Sequence, residues 1–355
     1  MFHRDFEQMS ERYRFPRGLS GKGESIGILT FGGAVSPSDL ARYFHQQIGR
    51  VPDLRFESVG ANDLPNQDSR YDTEVTLDIQ LAGGLAPGAL IVTYFAPNNE
   101  HGWVDALDRA IHDERNHPSV LSISWGATED LWQRATLHTL NDLFREAAGR
   151  GITICAASGD DGCAQDSAGY CRVTFPASSP FVLACGGTSA AADHREVVWN
   201  IRNQSASGGG ISDVLSRPDW QSPVSVLRSP VPRRRNPSFD GRQLPDVAGL
   251  ASHAYAVYVG GRYQNRIGGT SAVAPIWSAL VARLNEGLRS RGLPRVGHLH
   301  PLLYQDRSIQ ETFSDITSGH NDPFGKNGYQ AGLGWNPCTG WGTPNGADLL
   351  RALAK

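Results

Sequence analysis

Five short apolar runs recur along the first half of the chain: SIGILTF from Ser25, ALIVTYF from Ala89, SVLSISW from Ser119, GITICAAS from Gly151 and FVLACGG from Phe181. Each has the length of a buried strand, and segments with helical signals lie between them. The stretch after Pro37, SDLARYFHQQ, begins at a Ser-Pro entry, HGWVDALDRAIHD follows the second run, and TEDLWQRATLHTLNDLFREAAGRG ends on glycine, a common helix stop. Strands alternating with helices imply a mostly parallel sheet covered on both faces. The expected fold is therefore α/β, a doubly wound sheet with its functional groups at the carboxyl ends of the strands.

The chain has 355 residues, 39% hydrophobic and 19% charged, which is ample to bury a large core. Forty glycines and twenty-one prolines favour tight turns and long loops over a helical bundle. Thirty-three Lys and Arg against thirty-six Asp and Glu leave a net charge of -3, too balanced to point to nucleic acid or an anionic membrane as partner. The opening MFHRDFEQMSERYRFPRG is charged throughout, with no apolar core of signal-peptide length, and no stretch elsewhere is long and uncharged enough to span a bilayer. A soluble chain is expected. After Ser205 a glycine run, SGGGIS, leads into RPDWQSPVSVLRSPVPRRRNPSFDGRQLPDVAG, whose ordinary reading is a surface loop, with Arg233, Arg234 and Arg235 as a solvated basic run. From Glu311 to Pro344 the chain reads as nearly all loop, and a loop that long needs a function or an internal staple. The five cysteines form no paired CxxC spacing for zinc. Cys163 and Cys171 flank a polar loop and could close a local bridge in an oxidising compartment, whereas Cys155, Cys185 and Cys338 read as buried free thiols.

Three places could carry chemistry. In Gly268-Gly269-Thr270-Ser271-Ala272 the glycines allow close backbone approach, and Ser271 would sit on the first turn of the apolar helix SAVAPIWSALVARLNEGL. Its hydroxyl would then lie near unpaired helical N–H groups, which stabilise developing negative charge, although a capping role is the commoner use of such a serine. A nucleophilic serine needs a base, usually histidine. None of the eleven histidines lies in a glycine-flanked context suited to that task, and each reads as a surface or loop residue. The second place is YDTEVTLDIQLAGG, with Glu74 and Asp78 four residues apart before a Gly-Gly stop. Val75, Leu77, Ile79 and Leu81 alternate with polar residues, which periodicity scores as a half-buried strand. On a strand the two carboxylates would lie roughly 13 Å apart. On a helix their Cβ atoms would be roughly 5–6 Å apart, close enough for the carboxyls to share a proton. The third place is Ser158-Gly159-Asp160 after GITICAA, at a strand's carboxyl end, where an ordinary turn is the alternative.

The ordered set Glu-x-x-x-Asp, Ser-Gly-Asp and Gly-Thr-Ser-Ala-x-x-Pro resembles the sedolisin family of serine-carboxyl peptidases, in particular its kumamolisin-like members. The likeness runs over nearly the whole chain and includes LAPGALIVTYFAPN, SVLSISWG, SPFVLACGGTS, LPDVAG and the C-terminal GWNPCTGWGTPNG. It implies a subtilisin-like fold in one peptidase domain over residues 1–355. Within it Glu74 would replace histidine as the base for Ser271, Asp78 would hold and tune Glu74, and Asp160 would take the oxyanion-hole position. An acid-active endopeptidase forming an acyl-enzyme follows, since a carboxylate base works best in acid and a protonated Asp160 can donate to the oxyanion.

The same resemblance implies that Ser124, Trp125 and Gly126 line the substrate channel. It also implies one structural Ca²⁺ in the loop region at about residues 311–344, held by the Asp315 side chain, the Ile316, Gly332 and Gly334 carbonyls and the Asn336 side chain. Asn336 stands where the family usually has aspartate, so one negative charge is lost and affinity should fall. Thr30 stands where kumamolisin-like members carry a glutamate that extends the carboxylate network, which could shift the acid optimum. Protein or peptide substrates, a monomer and an extracellular setting are further expectations from the family. A catalytically silent binding protein and an unrelated serine hydrolase of small esters are the competing readings.

Overall fold

The computed structural model of the chain describes every residue except 1–4, 61–68, 192–194, 225–231, 253–254 and 326, so His3, His194, His253 and part of the Pro- and Arg-rich stretch lie outside the described residues. Its centre is a sheet built from β1 (Ser25–Thr30), β2 (Asp53–Ser58), β3 (Leu90–Phe95), β4 (Val120–Ile123), β5 (Thr153–Ala157), β6 (Leu183–Ala190), β7 (Glu196–Val198) and β8 (Val247–Leu250). The strand order is β8-β6-β5-β4-β1-β3-β2, parallel throughout, with β7 antiparallel on β6. The helices that matter for the site are α1 (Asp5–Arg12), α2 (Pro37–Ile48), α3 (Asp72–Leu85), α4 (Glu100–Ile111), α5 (Arg134–Gly149) and α6 (Thr270–Arg289). None of the described helices is long and apolar enough to cross a membrane.

All five apolar runs are strands of this sheet. Because side chains alternate across a strand, Ile26 and Ile28 join a core with α3 and α6 on one face, while Leu29 joins a second core with α4 and α5 on the other. The expected doubly wound sheet is thus present, with a buried layer on each side.

Segment 72–85 is a helix, and it is buried from Val75 to Leu85. A helix enclosed on all sides carries no amphipathic stripe, which is why its apolar residues could mimic strand alternation. The Gly-Gly pair does not stop it. Gly83 and Gly84 lie inside α3, where a Cβ would come within 2.8 Å of the Phe44 ring and 2.1 Å of the Phe6 ring, so their bareness admits α2 and α1 against the helix backbone. The helix ends at Leu85, with Ala86 as its cap.

Two further expectations change. Residues 241–250 are not surface loop: Val247–Leu250 is the edge strand beside β6, and Asp246, wholly buried, accepts from Arg242, Tyr304 and the Ala184 N–H. His300, only 2% exposed, also lies within hydrogen-bond reach of Asp246 at 3.2 Å and is a core residue, not a surface one. Cys163 and Cys171 are joined as a disulfide, and Cys155, Cys185 and Cys338 are buried free thiols.

Candidate active site

Four pieces of chain meet at the carboxyl ends of β4 and β5. The strand β4 delivers Ser124, Trp125 and Gly126; β5 delivers Ser158, Gly159 and Asp160; α3 and the first turn of α6, packed against each other, deliver Glu74, Asp78, Thr270 and Ser271. In a parallel sheet this edge is where loops from neighbouring strands converge, so residues distant in sequence become neighbours.

Helical spacing sets Glu74 above Asp78 on α3. Ser271 lies beside the Glu74 carboxyl and favours its charged form, and its hydroxyl donates to the Ser124 carbonyl oxygen at 3.3 Å. Asp78 is fully buried, and its Oδ1 accepts from the Ser124 hydroxyl at 2.7 Å. The same Ser124 hydroxyl reaches the carbonyl oxygen of Ser271 at 3.0 Å. That carbonyl is free to accept because Pro275, four residues on, has no N–H to return to it. Proline at this spacing from the serine thereby links the first turn of α6 to β4.

Asp160 is clamped from the other side. Its Oδ1 accepts from the Thr270 N–H at 2.8 Å and the Thr270 hydroxyl at 2.7 Å, while the hydroxyl oxygen accepts from the Gly159 N–H at 3.1 Å. Gly269 caps the helix with φ +122°, and a Cβ there would sit 2.6 Å from Asp160 Oδ2; a side chain is excluded on both counts. The glycine run packs beneath: Gly208 donates to the Gly159 carbonyl at 2.7 Å, and the Ser158 hydroxyl donates to the Gly208 carbonyl at 2.8 Å.

Burial dominates the electrostatics. It pushes Glu74 up to about 7, with the nearby Asp160 charge adding to the rise and the Ser271 hydroxyl opposing it. Burial and the adjacent Glu74 drive Asp78 well above the ordinary aspartate range, against the Ser124 bond. Asp160 is raised by burial despite the Thr270 bonds. Glu74 Oε1 and Asp78 Oδ2 are buried without a hydrogen-bond partner. No histidine is among the hydrogen-bond partners of Asp78, Asp160 or Ser271 within the described residues. The arrangement can hold a hydroxyl against a carboxyl base beside a second, neutral carboxyl.

Sequence reasoning assigned no role to Thr270 and placed Ser124 only in a channel. The threonine stood in the quoted motif, immediately before a serine at a helix start, but its hold on Asp160 spans two elements and has no local signature. Trp125 packs 4.9 Å from the Tyr71 ring and edge-on to Phe31 at 6.0 Å, and Gly126 is exposed beside Phe175, whose carbonyl oxygen a Cβ would approach to 2.7 Å. Thr30 is buried and donates to the Gly32 carbonyl at 3.1 Å, closing its own turn.

The expected calcium ligands lie elsewhere, in the C-terminal loop. Asp315 Oδ2 accepts from the Gly334 N–H at 2.7 Å. Asn336, 4% exposed, turns its amide nitrogen toward the Ile316 and Gly332 carbonyls at 3.1 and 3.4 Å and its oxygen toward Cys338 and Thr339. Four of the five expected oxygen ligands thus face an N–H donor, the Gly334 carbonyl being the exception, so the residues as arranged do not fit a cation.

A family model described as the subtilase family matches residues 59–315. Kumamolisin of Bacillus sp. (strain MN-32) is 46% identical over 357 aligned positions, spanning 97% of this chain and 62% of that protein. Tripeptidyl-peptidase 1 of Canis lupus familiaris is 36% identical over 305 positions, 81% of this chain and 52% of its own length. The chain therefore spans between about half and two thirds of these relatives. Among solved structures, Pseudomonas sedolisin, a serine-carboxyl proteinase complexed with two molecules of pseudo-iodotyrostatin, superposes with a TM-score of 0.81 at 29% identity, covering 98% of this chain and 97% of that one.

Proposed function

Because the chain belongs to the subtilase family, as a sedolisin of the kumamolisin-like kind with a subtilisin-like α/β fold, we propose that it cuts peptide bonds in weak acid through an acyl-enzyme on Ser271. One observation carries the reading: among the described residues no histidine but a pair of carboxyls on one helix, Glu74 and the fully buried Asp78, stands at Ser271, where a serine hydrolase needs a base. Ser124 is bonded both to Asp78 and to the Ser271 carbonyl, and Ser271 favours the charged form of Glu74. In the proposed reaction Ser271 Oγ attacks the scissile carbonyl carbon, and its proton passes to ionised Glu74. Asp78 keeps Glu74 in place and shares a proton with it, joining the two buried oxygens that otherwise lack partners. Charge developing on the substrate oxygen is met by protonated Asp160, which donates a hydrogen bond; ionised, it would repel the oxyanion. Collapse breaks the C–N bond, and the leaving amine takes the proton from Glu74. Water then attacks the ester, gives its proton to Glu74, and the alcohol of Ser271 recovers it.

The reactive form needs Glu74 without its proton and Asp160 with one. Burial raises both, so the active window sits above the ordinary carboxylate range, in weak rather than strong acid. Protein or peptide chains are the proposed substrates, with Ser124, Trp125 and Gly126 at the channel wall. The Cys163–Cys171 bridge favours an oxidising, extracellular setting. The test is hydrolysis of a denatured protein across pH by wild type and Ser271→Ala. Loss of turnover with unchanged melting supports the assignment; a fully active Ser271→Ala variant refutes it.

A further inference from the structure

The C-terminal loop is closed at its ends by the pairing of Phe313–Ser314 with Thr343–Pro344. Inside it the Asn336 side chain makes the contacts a central ion would otherwise organise. Its amide nitrogen donates to the Ile316 carbonyl at 3.1 Å and points at the Gly332 carbonyl at 3.4 Å, while Oδ1 accepts from the Cys338 N–H, the Thr339 N–H and the Thr339 hydroxyl, each at 3.1 Å. Its backbone exchanges two further bonds with Gly340, at 3.1 and 2.8 Å.

The orientation of this amide is not arbitrary. The Cys338 and Thr339 N–H groups can only donate, so the atom facing them must be the oxygen, and the NH₂ is then forced toward the two carbonyls. Turning the amide over to offer oxygen to a cation would set its NH₂ against two backbone N–H groups in a buried site, leaving donors unpaired. An aspartate at this position differs in one respect that decides the outcome. One carboxylate oxygen would still cap residues 338 and 339, but the other would face the Ile316 and Gly332 carbonyl oxygens, three acceptors that only a positive charge between them could reconcile.

We propose that the Asn336 carboxamide takes the place of a bound cation, so that the C-terminal loop of this chain is held by its own side chain and its stability does not depend on calcium. The staple that so long a loop requires is then an amide, and one carboxamide-to-carboxylate change converts the cradle into a calcium site.

The experiment compares thermal unfolding of wild type and Asn336→Asp in chelator and in millimolar calcium, with calcium titrated calorimetrically into both. Wild type should melt at the same temperature in either buffer and give no binding heat. Asn336→Asp should melt several degrees lower in chelator and recover as calcium rises, its midpoint climbing with the logarithm of calcium concentration. If Asn336→Asp fails to fold without calcium, refolding on adding calcium supports the proposal equally. A wild-type midpoint that rises with calcium overturns it, as does an Asn336→Asp variant no more responsive to calcium than its parent.

Discussion

Thr270 offers a sharp handle on the site, because its hydroxyl is one of two donors on Asp160 Oδ1 and can be removed alone. Thr270→Val keeps the backbone N–H bond of 2.8 Å and deletes the hydroxyl bond of 2.7 Å, at nearly unchanged shape. A hydrogen bond to a charged carboxylate is worth about 1.5–3 kcal/mol. At 1.36 kcal/mol per pH unit its loss should raise the ionisation of Asp160 by about 1–2 units. Since Asp160 acts in its protonated form, the alkaline limb of the kcat/KM profile should move up by that amount. The acid limb, which reports Glu74, should stay or fall slightly, because the Asp160 charge that raises Glu74 then appears later. Valine also deprives the Gly159 N–H of its acceptor, so Thr270→Ser, which keeps the hydroxyl, is the control and should track wild type. The assay is a pH–rate profile on a peptide substrate for all three proteins. An alkaline limb for Thr270→Val that coincides with wild type, or an equal shift in Thr270→Ser, would refute the assignment of Asp160.

Stability carries its own tests. Because Glu74 is raised in the folded state, the stability linked to its protonated form is fully present below its unfolded value and is lost as pH rises through about 7; Glu74→Gln should therefore be more stable than wild type by about 3 kcal/mol above that range in denaturant titrations, and equal to it in acid. Burial alone would raise Asp246, yet Arg242, His300 and Tyr304 together hold it well below the ordinary value, so its stabilisation is present above the unfolded aspartate value and is lost as pH falls toward the folded one. Asp246→Asn, which strands the buried Arg242 guanidinium, should cost about 3–5 kcal/mol at neutral pH, a difference that shrinks in acid. Gly84→Ala places a methyl 2.1 Å from the Phe6 ring and should destabilise the fold by about 1–3 kcal/mol despite the better helix propensity of alanine, measured by chemical denaturation.

What could be read from residues alone follows from where burial is two-sided. The central strands are apolar on both faces and declare themselves, whereas β2 (DLRFES) escapes because it is an edge strand with mostly exposed or half-exposed side chains. The strand β8 hides at the end of a polar, Pro-rich segment, and α1 is two turns long, so its buried stripe of Phe6 and Met9 is outnumbered by charged and polar residues. Glu74 and Asp78 gain meaning only on a helix, and the complete burial of α3 erases the periodicity that would have identified it. Ser271 and Asp160 were marked by glycine-rich motifs at element ends. Their partners were not, because Thr270, Ser124 and Pro275 act between elements, through atoms that any sequence carries. The direction in which Asn336 points is likewise set by two backbone N–H groups, and composition holds no trace of it.

The claim on which the mechanism depends is that a carboxyl, Glu74, removes the proton from Ser271. Its most direct test is the kcat/KM of Glu74→Gln, a variant that preserves size and hydrogen bonding but cannot act as a base, measured across the pH range with the fold verified by circular dichroism. The account expects a fall of about a hundred- to ten-thousandfold at every pH, together with loss of the acid limb. Activity within tenfold of wild type, with both limbs in place, would contradict it.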